Sequence, residues 1–583
     1  MAPFVIRLLQ ALFTSQVAIA APSPLSSSNS HRTYSHSQNT LGAVASENSQ
    51  CSKVGTTILQ QGGNAVDAMI GTVFCVGVIG MYHSGIGGGG FAIIRAPNNT
   101  YSFVDFRETA PGAAFQDMYN NNTDLSLYGG LASGVPGELR GLQWMHERFG
   151  KLPWSDVMHP AIKLARDGFT VGQDLVNYMA SAVSGQRNFL VEDPTWAIDF
   201  APNGTLVKLG DTFTRKRYAK TLETIAHQGA GAFYEGPIAE ATIRAIQATN
   251  GTMTVDDLKN YSVAIRKPAE IDYRGYKLAA CSTPSGGSVT LATMKIIEGY
   301  ETIGENPFLN ISTHRLDEAM RFAYGMRTEL GDPYFVSGMQ EYEDDMLLPK
   351  TAAIVRSKIS DSHTLNVSAY DPSGIESLET PGTSHLVAAD QSGLAVSLTT
   401  TINLLFGSQV MVPETGVILN DEMNDFSIPG SSNAFGYVPS PANYIRPGKR
   451  PLSSMSPTIV SFPNGSLYAA VGAAGGSRII TSTIQNLWHV IDQNKTMAEA
   501  LAQPRLHDQL IPNQVSFEYH ILQNGTERFG YNNETVAFMK GRGHNVTWIA
   551  PGQSTAQGLR RLGNGTFEAA GEPRQLDSGG FAV

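Results

Sequence analysis

Cysteine is scarce: Cys51, Cys75 and Cys281 are the only three in 583 residues. That excludes a small disulfide scaffold and, because no Cys/His pair stands at ligand spacing, a zinc module. Basic excess is lacking too. With a formal net charge of −10, no concentrated cationic face for a nucleic-acid backbone is expected. No apolar run is long enough to span a bilayer; Ala68 to Met81 is broken by Gly71, Gly77 and Gly80 and reads as a buried helix. There is no GxSxG elbow and no HExxH pair, which removes the α/β-type serine hydrolases and the zincins. No internal repeat or heptad occurs.

What is present is ordinary globular material, 42% hydrophobic and 16% charged, with 59 Gly and 30 Pro, enough to bury one or more sizeable cores. The N-terminus carries Arg7, an apolar run from Leu8 to Ala20 and the small-residue signature Ala18-Ile19-Ala20. This predicts a signal peptide over 1–20, secretion, and a mature start near Ala21. Residues 21–42, rich in Ser, Pro, Asn and His, are expected to form a disordered leader. Thirteen Asn-x-Ser/Thr sequons stand in the chain, from Asn98 to Asn564, against about five expected by chance from the Asn and Ser/Thr content. Many lie in Asn-Gly-Thr/Ser turns, where a glycan faces solvent. An odd cysteine count leaves at least one thiol unpaired; Cys51 and Cys75 could close a loop in an oxidising compartment, and Cys281 is expected in an apolar strand, buried.

Apolar spacing from Lys53 to Ile70 is helical and interrupted at Gly62-Gly63, which predicts two helices. Phe91–Ile94 and Tyr101–Arg107 around a Pro-Asn-Asn turn read as a hairpin. Residues 136–380 read as mostly helical, with helices over 137–149, 154–167 and 313–327. Ser384–Asp390 and Leu394–Thr401 form a second hairpin, and Ser466–Val471, a small-residue turn over 472–476 and a helix over 477–491 follow.

Gly85-Ile86-Gly87-Gly88-Gly89-Gly90 matches GxGxxG, but a helix precedes it and a strand follows, the reverse of a dinucleotide site. Its glycines are expected to admit a close backbone approach, and no nucleotide cofactor is implied. Thr383, at the mouth of the second hairpin, acquires chemistry if it becomes a chain terminus. A terminal α-amine, with a reference pKa near 8, then serves as base for its own hydroxyl.

Seven blocks in order carry a resemblance over nearly the whole mature chain: GGNAVDA at 62–68, GGGGF at 87–91, DFRETAP at 105–111, the Thr383 segment, LNDEMNDFS at 419–427, KRPLSSMSPTIV at 449–460 and GAAGGSRI at 472–479. Together they resemble the γ-glutamyltransferases (γ-glutamyl transpeptidases), a family of N-terminal nucleophile hydrolases. The resemblance implies an α/β fold of four layers, an αββα sandwich. It further implies a precursor that cleaves itself between Gly382 and Thr383 into a large subunit, 43–382 after its leader, and a small catalytic subunit, 383–583, which pair as a heterodimer of one composite domain.

It also implies the chemistry of each site residue. Thr383 is the nucleophile, Thr401 its hydroxyl partner, and the Gly475 and Gly476 N–H groups the oxyanion hole. Arg107, with Ser453 and Ser454, resembles the clamp for a donor α-carboxylate; Glu422, Asp425 and Asn403 resemble the group that holds a donor α-ammonium. Taken singly, these would read as a solvated arginine, a turn, an acidic loop and a strand threonine. A Cys51–Cys75 disulfide is implied, with Cys281 free. Ser384 follows the nucleophile where Thr or Ala is common, and the lid over 428–446 offers Phe435 or Tyr437 as its gate. The expected activity is cleavage of γ-glutamyl amides such as glutathione through a γ-glutamyl-Thr383 ester, with transfer to water, amino acids or dipeptides, and with no metal or organic cofactor. A related Thr-nucleophile acylase would lack the Arg107–Glu422/Asp425 set, and a processing-deficient binding glycoprotein would have lost Thr383 or the two glycines.

Overall fold

Two antiparallel sheets organise the computed structural model, which describes residues 39–185, 187–375, 382–430, 438–523 and 526–583. The signal peptide and most of the leader therefore lie outside the described residues, as do Phe435, Tyr437 and the segment 376–381. Thirteen strands build the sheets: β1 Gly42–Ser46, β2 Gly89–Arg95, β3 Tyr101–Asp105, β4 Ala264–Arg266, β5 Ala269–Tyr273, β6 Tyr276–Ala280, β7 Ser384–Asp390, β8 Ala395–Thr401, β9 Thr458–Ser461, β10 Leu467–Ala474, β11 Thr555–Arg561, β12 Phe567–Ala570 and β13 Gly579–Ala582. The first sheet runs β13-β1-β7-β8-β2-β3-β4 and the second β12-β11-β10-β9-β6-β5.

Strand alternation sorts the side chains of the first sheet. Val44, Ala92, Ile94, Leu386 and Val396 face a helical layer, whereas Ala43, Phe91, Ile93 and Val387 face the second sheet. The first helical layer contains α1 Ser49–Gln60, α2 Ala65–Ile79, α3 Glu138–Phe149, α4 Trp154–Asp167 and α5 Lys216–Gln228; the second is built on α6 Gly287–Ile297, α7 Leu309–Arg327 and α8 Arg478–Ile491. The result is the expected αββα sandwich. All fifteen residues of α2 are buried, and its start is fixed by a capping box between Asn64 and Asp67.

Both sheets mix strands from before and after Thr383. In the first, β7, β8 and β13 come from the C-terminal part; in the second, β9 to β12 do. Neither part holds a complete sheet. The middle of the chain is mostly helical, as read, and supplies the short strands β4, β5 and β6 between its helices. One expectation needs correction, since the end of the expected leader is structured: the Leu41 N–H donates to the Val583 carbonyl at 2.8 Å and Gly42 opens β1, so the C-terminal strand holds residues 41 and 42 in the sheet.

Cys51 and Cys75 form a disulfide between α1 and α2, 24 residues apart, and Cys281 is buried as a free thiol. Closing a loop of this length stabilises by about 3 kcal/mol through the unfolded state. A Cys51→Ala, Cys75→Ala protein is expected to melt several degrees lower by calorimetry; an unchanged melting temperature would show that the two helices hold without the link. Of the twelve sequon asparagines described, eleven are exposed. Asn310 is half-buried within α7 and accepts a hydrogen bond from the Thr535 hydroxyl at 2.7 Å.

Candidate active site

Thr383 sits just ahead of β7 at the end of the first sheet, 6% exposed, with φ of 89°. A β-branched residue in that region is strained by about 1–3 kcal/mol. Gly382 before it has φ of 139°, and a Cβ there would stand 1.7 Å from the Asn403 carbonyl oxygen, so only glycine fits. The Gly475 N–H donates to the Gly382 carbonyl at 3.0 Å. On the other side, the Thr383 and Thr401 hydroxyls lie 3.1 Å apart, and Thr401 Oγ1 accepts the Asn403 N–H at 2.8 Å. The Gly382 carbonyl is thus polarised by an amide while the adjacent Thr383 hydroxyl is held by a neighbour on β8.

The placement of the Gly475 amide follows from β10 overrunning its expected end. The strand continues to Ala474, and Gly475 and Gly476 turn the chain into α8 with φ of 117° and 59°. A Cβ on Gly475 would meet the Gln553 carbonyl at 2.5 Å and Ser554 Cα at 2.8 Å, both backbone atoms. The glycine-rich stretch serves the close approach expected of it. A Cβ on Gly88 would stand 1.9 Å from the Thr401 oxygen and one on Gly87 2.0 Å from the Ile418 oxygen.

Arg107 lies two residues beyond β3, outside the strand in which the sequence placed it, and is 1% exposed. Its backbone N–H donates to Asp105 at 3.0 Å. Its guanidinium pairs with Glu422 through one nitrogen and Asp425 through the other. Burial alone would lower the Arg107 pKa, but these two carboxylates outweigh it and keep the group cationic. The three charged residues assigned to opposite sides of a donor are therefore in direct contact. They connect to Thr401 and Thr383 through Asn403, whose side chain donates to the Asp421 carbonyl at 3.1 Å, while the Leu404 N–H donates to the Asp421 carboxylate at 3.0 Å. Ser453 and Ser454 are buried nearby with other partners: Ser453 Oγ accepts the Met455 N–H at 3.2 Å and Ser454 Oγ accepts from Arg327 at 3.2 Å.

Glu108, Arg327, Asn420 and Asp421 complete this site and were not singled out in the sequence. Both Glu108 oxygens are buried without a hydrogen-bond partner, and burial pushes its carboxyl up to about 8. Asn420 ties the loop carrying Glu422 to the Gly87 and Gly134 carbonyls at 2.8 and 2.9 Å. Glu108 is the residue after Arg107 in DFRETAP, and Asn420 and Asp421 open LNDEMNDFS, so the signal was adjacency to residues already chosen. Arg327 had none.

Among the described residues one cluster has metal-ligand types, His314, Glu318 and His544. Its atoms are already engaged: His314 Nδ1 and His544 Nε2 are 2.8 Å apart, His314 Nε2 meets the Ser360 carbonyl at 2.7 Å, and Glu318 accepts from Thr364 and Tyr370 at 2.6 and 2.7 Å. It reads as a hydrogen-bonded core network.

Against this geometry, the sequence pattern described as Gamma-glutamyltranspeptidase matches residues 51–581. The chain belongs to the gamma-glutamyltranspeptidase family. A glutathione hydrolase proenzyme of Arthroderma benhamiae is 54% identical over 556 residues, covering 93% of each chain, and a glutathione hydrolase of Aspergillus flavus is 49% identical over 545 residues, covering 93% of this chain and 90% of that one. The cephalosporin acylase of Bacillus halodurans superposes with a TM-score of 0.81 at 23% identity over 98% of this chain and 99% of its own, which is a likeness of fold. As a gamma-glutamyltranspeptidase, the chain is an enzyme of γ-glutamyl transfer and hydrolysis. Among its described residues, no helix is long and apolar enough to cross a membrane.

Proposed function

We propose that this gamma-glutamyltranspeptidase is secreted, cleaves itself between Gly382 and Thr383, and acts on γ-glutamyl amides such as glutathione, the substrate named for its relatives. One observation carries the reading: the Gly382 carbonyl accepts the Gly475 N–H at 3.0 Å while the Thr383 hydroxyl lies beside it against Thr401. In self-cleavage Thr383 Oγ1 attacks the Gly382 carbonyl carbon, the C–N bond breaks as its nitrogen gains a proton, and water hydrolyses the resulting ester. A chain ending at Gly382 and a free Thr383 amine remain. The two pieces share both sheets, which supports a lasting heterodimer.

In turnover the freed amine takes the Thr383 hydroxyl proton, Oγ1 attacks the donor γ-carbonyl, and the Gly475 and Gly476 N–H groups stabilise the oxyanion. The proton passes from the amine to the leaving nitrogen, leaving a γ-glutamyl ester on Thr383. Water, an amino acid or a dipeptide then attacks the ester, and its proton returns through the amine to Oγ1. The donor α-carboxylate replaces Glu422 and Asp425 on the Arg107 guanidinium, and the released carboxylates meet the donor α-ammonium. Ser453 and Ser454 add hydroxyl contacts to the carboxylate, and Asn403 one to the ammonium. A relative of the same fold acting on other acyl groups would have no use for this buried charge set. The eleven exposed sequon asparagines suit a glycosylated, secreted protein.

Donor recognition is tested through charge. Arg107→Lys keeps the cation but loses the planar fork, and a lost bidentate contact to a charged group is worth about 1.5–3 kcal/mol. Catalytic efficiency on a γ-glutamyl anilide is expected to fall roughly ten- to a hundredfold, with little change for an analogue lacking the α-carboxylate. Equal losses on both would remove Arg107 from donor recognition.

A further inference from the structure

Self-cleavage, on which this inference rests, has a proton problem that turnover does not. Before the Gly382–Thr383 bond breaks, the Thr383 nitrogen is an amide and cannot act as a base. The Thr383 hydroxyl meets Thr401 Oγ1, itself an alcohol already accepting the Asn403 N–H. His385, two residues on, is enclosed between the sheets against Thr399 at 2.9 Å.

A cavity of about 320 Å³ adjoins the scissile bond and is lined by Gly382, Thr383, Gly475, His83, Tyr178 and Gln553, among others. His83 is the one imidazole among the lining residues. Its position is tied to the strand end that carries Thr401: the Ile402 N–H donates to the His83 carbonyl at 2.8 Å, and the Ser84 hydroxyl donates to the Thr400 carbonyl at 3.2 Å. Tyr82 and Tyr178 flank the imidazole at ring-centre distances of 4.6 and 4.5 Å.

Glu47, just past β1 and 2% exposed, has Oε2 at 3.0 Å from His83 Nδ1 and accepts from Gln575 at 3.4 Å. A carboxylate at that nitrogen places the proton on Nδ1 and leaves the lone pair on Nε2. Among the described residues Nε2 makes no hydrogen bond, and His83 borders the cavity that holds Thr383. A buried carboxylate–imidazole pair is a costly way to fill a core, and here it stands beside a nucleophile that lacks a base.

We propose that His83, oriented by Glu47, is the proton acceptor for self-cleavage, reached from Thr383 through water in this cavity. The Thr383 hydroxyl proton passes by way of that water to His83 Nε2 as Oγ1 bonds to the Gly382 carbonyl carbon. The imidazolium then returns a proton, by the same path, to the Thr383 nitrogen as the C–N bond breaks, leaving the ester and a neutral imidazole. Once the α-amine is free, it takes over as base and His83 is no longer needed for that role.

The test follows cleavage of the full chain over time by gel and intact mass. His83→Gln, which retains a partner for Glu47 but no basic nitrogen, is expected to slow self-cleavage about a hundredfold. Glu47→Gln, which acts only by positioning His83, is expected to slow it about tenfold. His83→Ala is expected to recover at least about tenfold in cleavage rate when free imidazole is added, a response that a purely structural residue would not give. Wild-type cleavage by His83→Gln overturns the proposal. So does a His83→Ala chain that melts where uncut Thr383→Ala melts yet ignores imidazole. If His83→Ala fails to fold, the rate of His83→Gln decides. Thr383→Ala is the control for the underlying reading: if it is still cut at this bond, an outside protease acts and both ideas fall, whereas an uncut Thr383→Ala beside a fast His83→Gln removes His83 alone.

Discussion

Thr383→Ala is expected to yield a single uncut chain and to lose γ-glutamyl hydrolysis by about 10⁴-fold or more, the scale on which a lost nucleophile is felt. Both losses are expected together because, in the proposed mechanism, one hydroxyl serves both reactions. The Gly382 carbonyl it would attack is held by the Gly475 N–H at 3.0 Å, so the uncut bond already stands where a substrate carbonyl would later be held. The fold should survive, since Thr383 lies ahead of β7 and, among the described residues, its side chain has one hydrogen-bond partner, Thr401. Intact mass after purification decides the matter, and a Thr383→Ser protein that still matures would place the chemistry on the hydroxyl.

Gly475→Ala should lower both the maturation rate and kcat/KM by about 10²–10³-fold, the range for loss of one oxyanion donor. Gly475 is in the left-handed region at φ of 117°, and a Cβ would meet two backbone atoms at 2.5 and 2.8 Å. Neither neighbour can step aside as a flexible side chain would, so the turn into α8 has to move and the N–H with it. Serine for Gly382 makes a useful contrast: its Cβ would collide with the Asn403 carbonyl at 1.7 Å, which blocks maturation without altering the oxyanion donor. A Gly475→Ala enzyme with wild-type maturation and turnover would remove this amide from both reactions.

The site's parts were legible to different degrees. Thr383, Thr401 and Asn403 stand at or near the ends of two adjacent strands of one hairpin, and strand alternation with a turn at 390–393 was visible in the residues. Arg107, Glu422 and Asp425 were visible only through their blocks, because an arginine and two acids separated by more than three hundred positions carry no local signal. Read locally they suggested solvated groups; the structure buries Arg107 at 1% exposure against both acids. His83 was hidden for the same reason. Its carboxylate partner is 36 residues away and its nucleophile 300 away, and neither spacing corresponds to a helix or strand repeat.

The sequence by itself determined the local elements and the order of the blocks: two helices broken at Gly62-Gly63, the hairpins around residues 96–100 and 390–393, and the glycines where backbones meet. These follow from side-chain periodicity and from the φ range open to glycine, which act over a few residues. Only the tertiary structure decided that the parts before and after Thr383 share both sheets, that Arg107 pairs with Glu422 and Asp425, and that Glu108 is buried beside them. Those outcomes depend on which distant surfaces meet and how much water is left between them. Burial and Coulomb attraction act through space, and chain order does not record them.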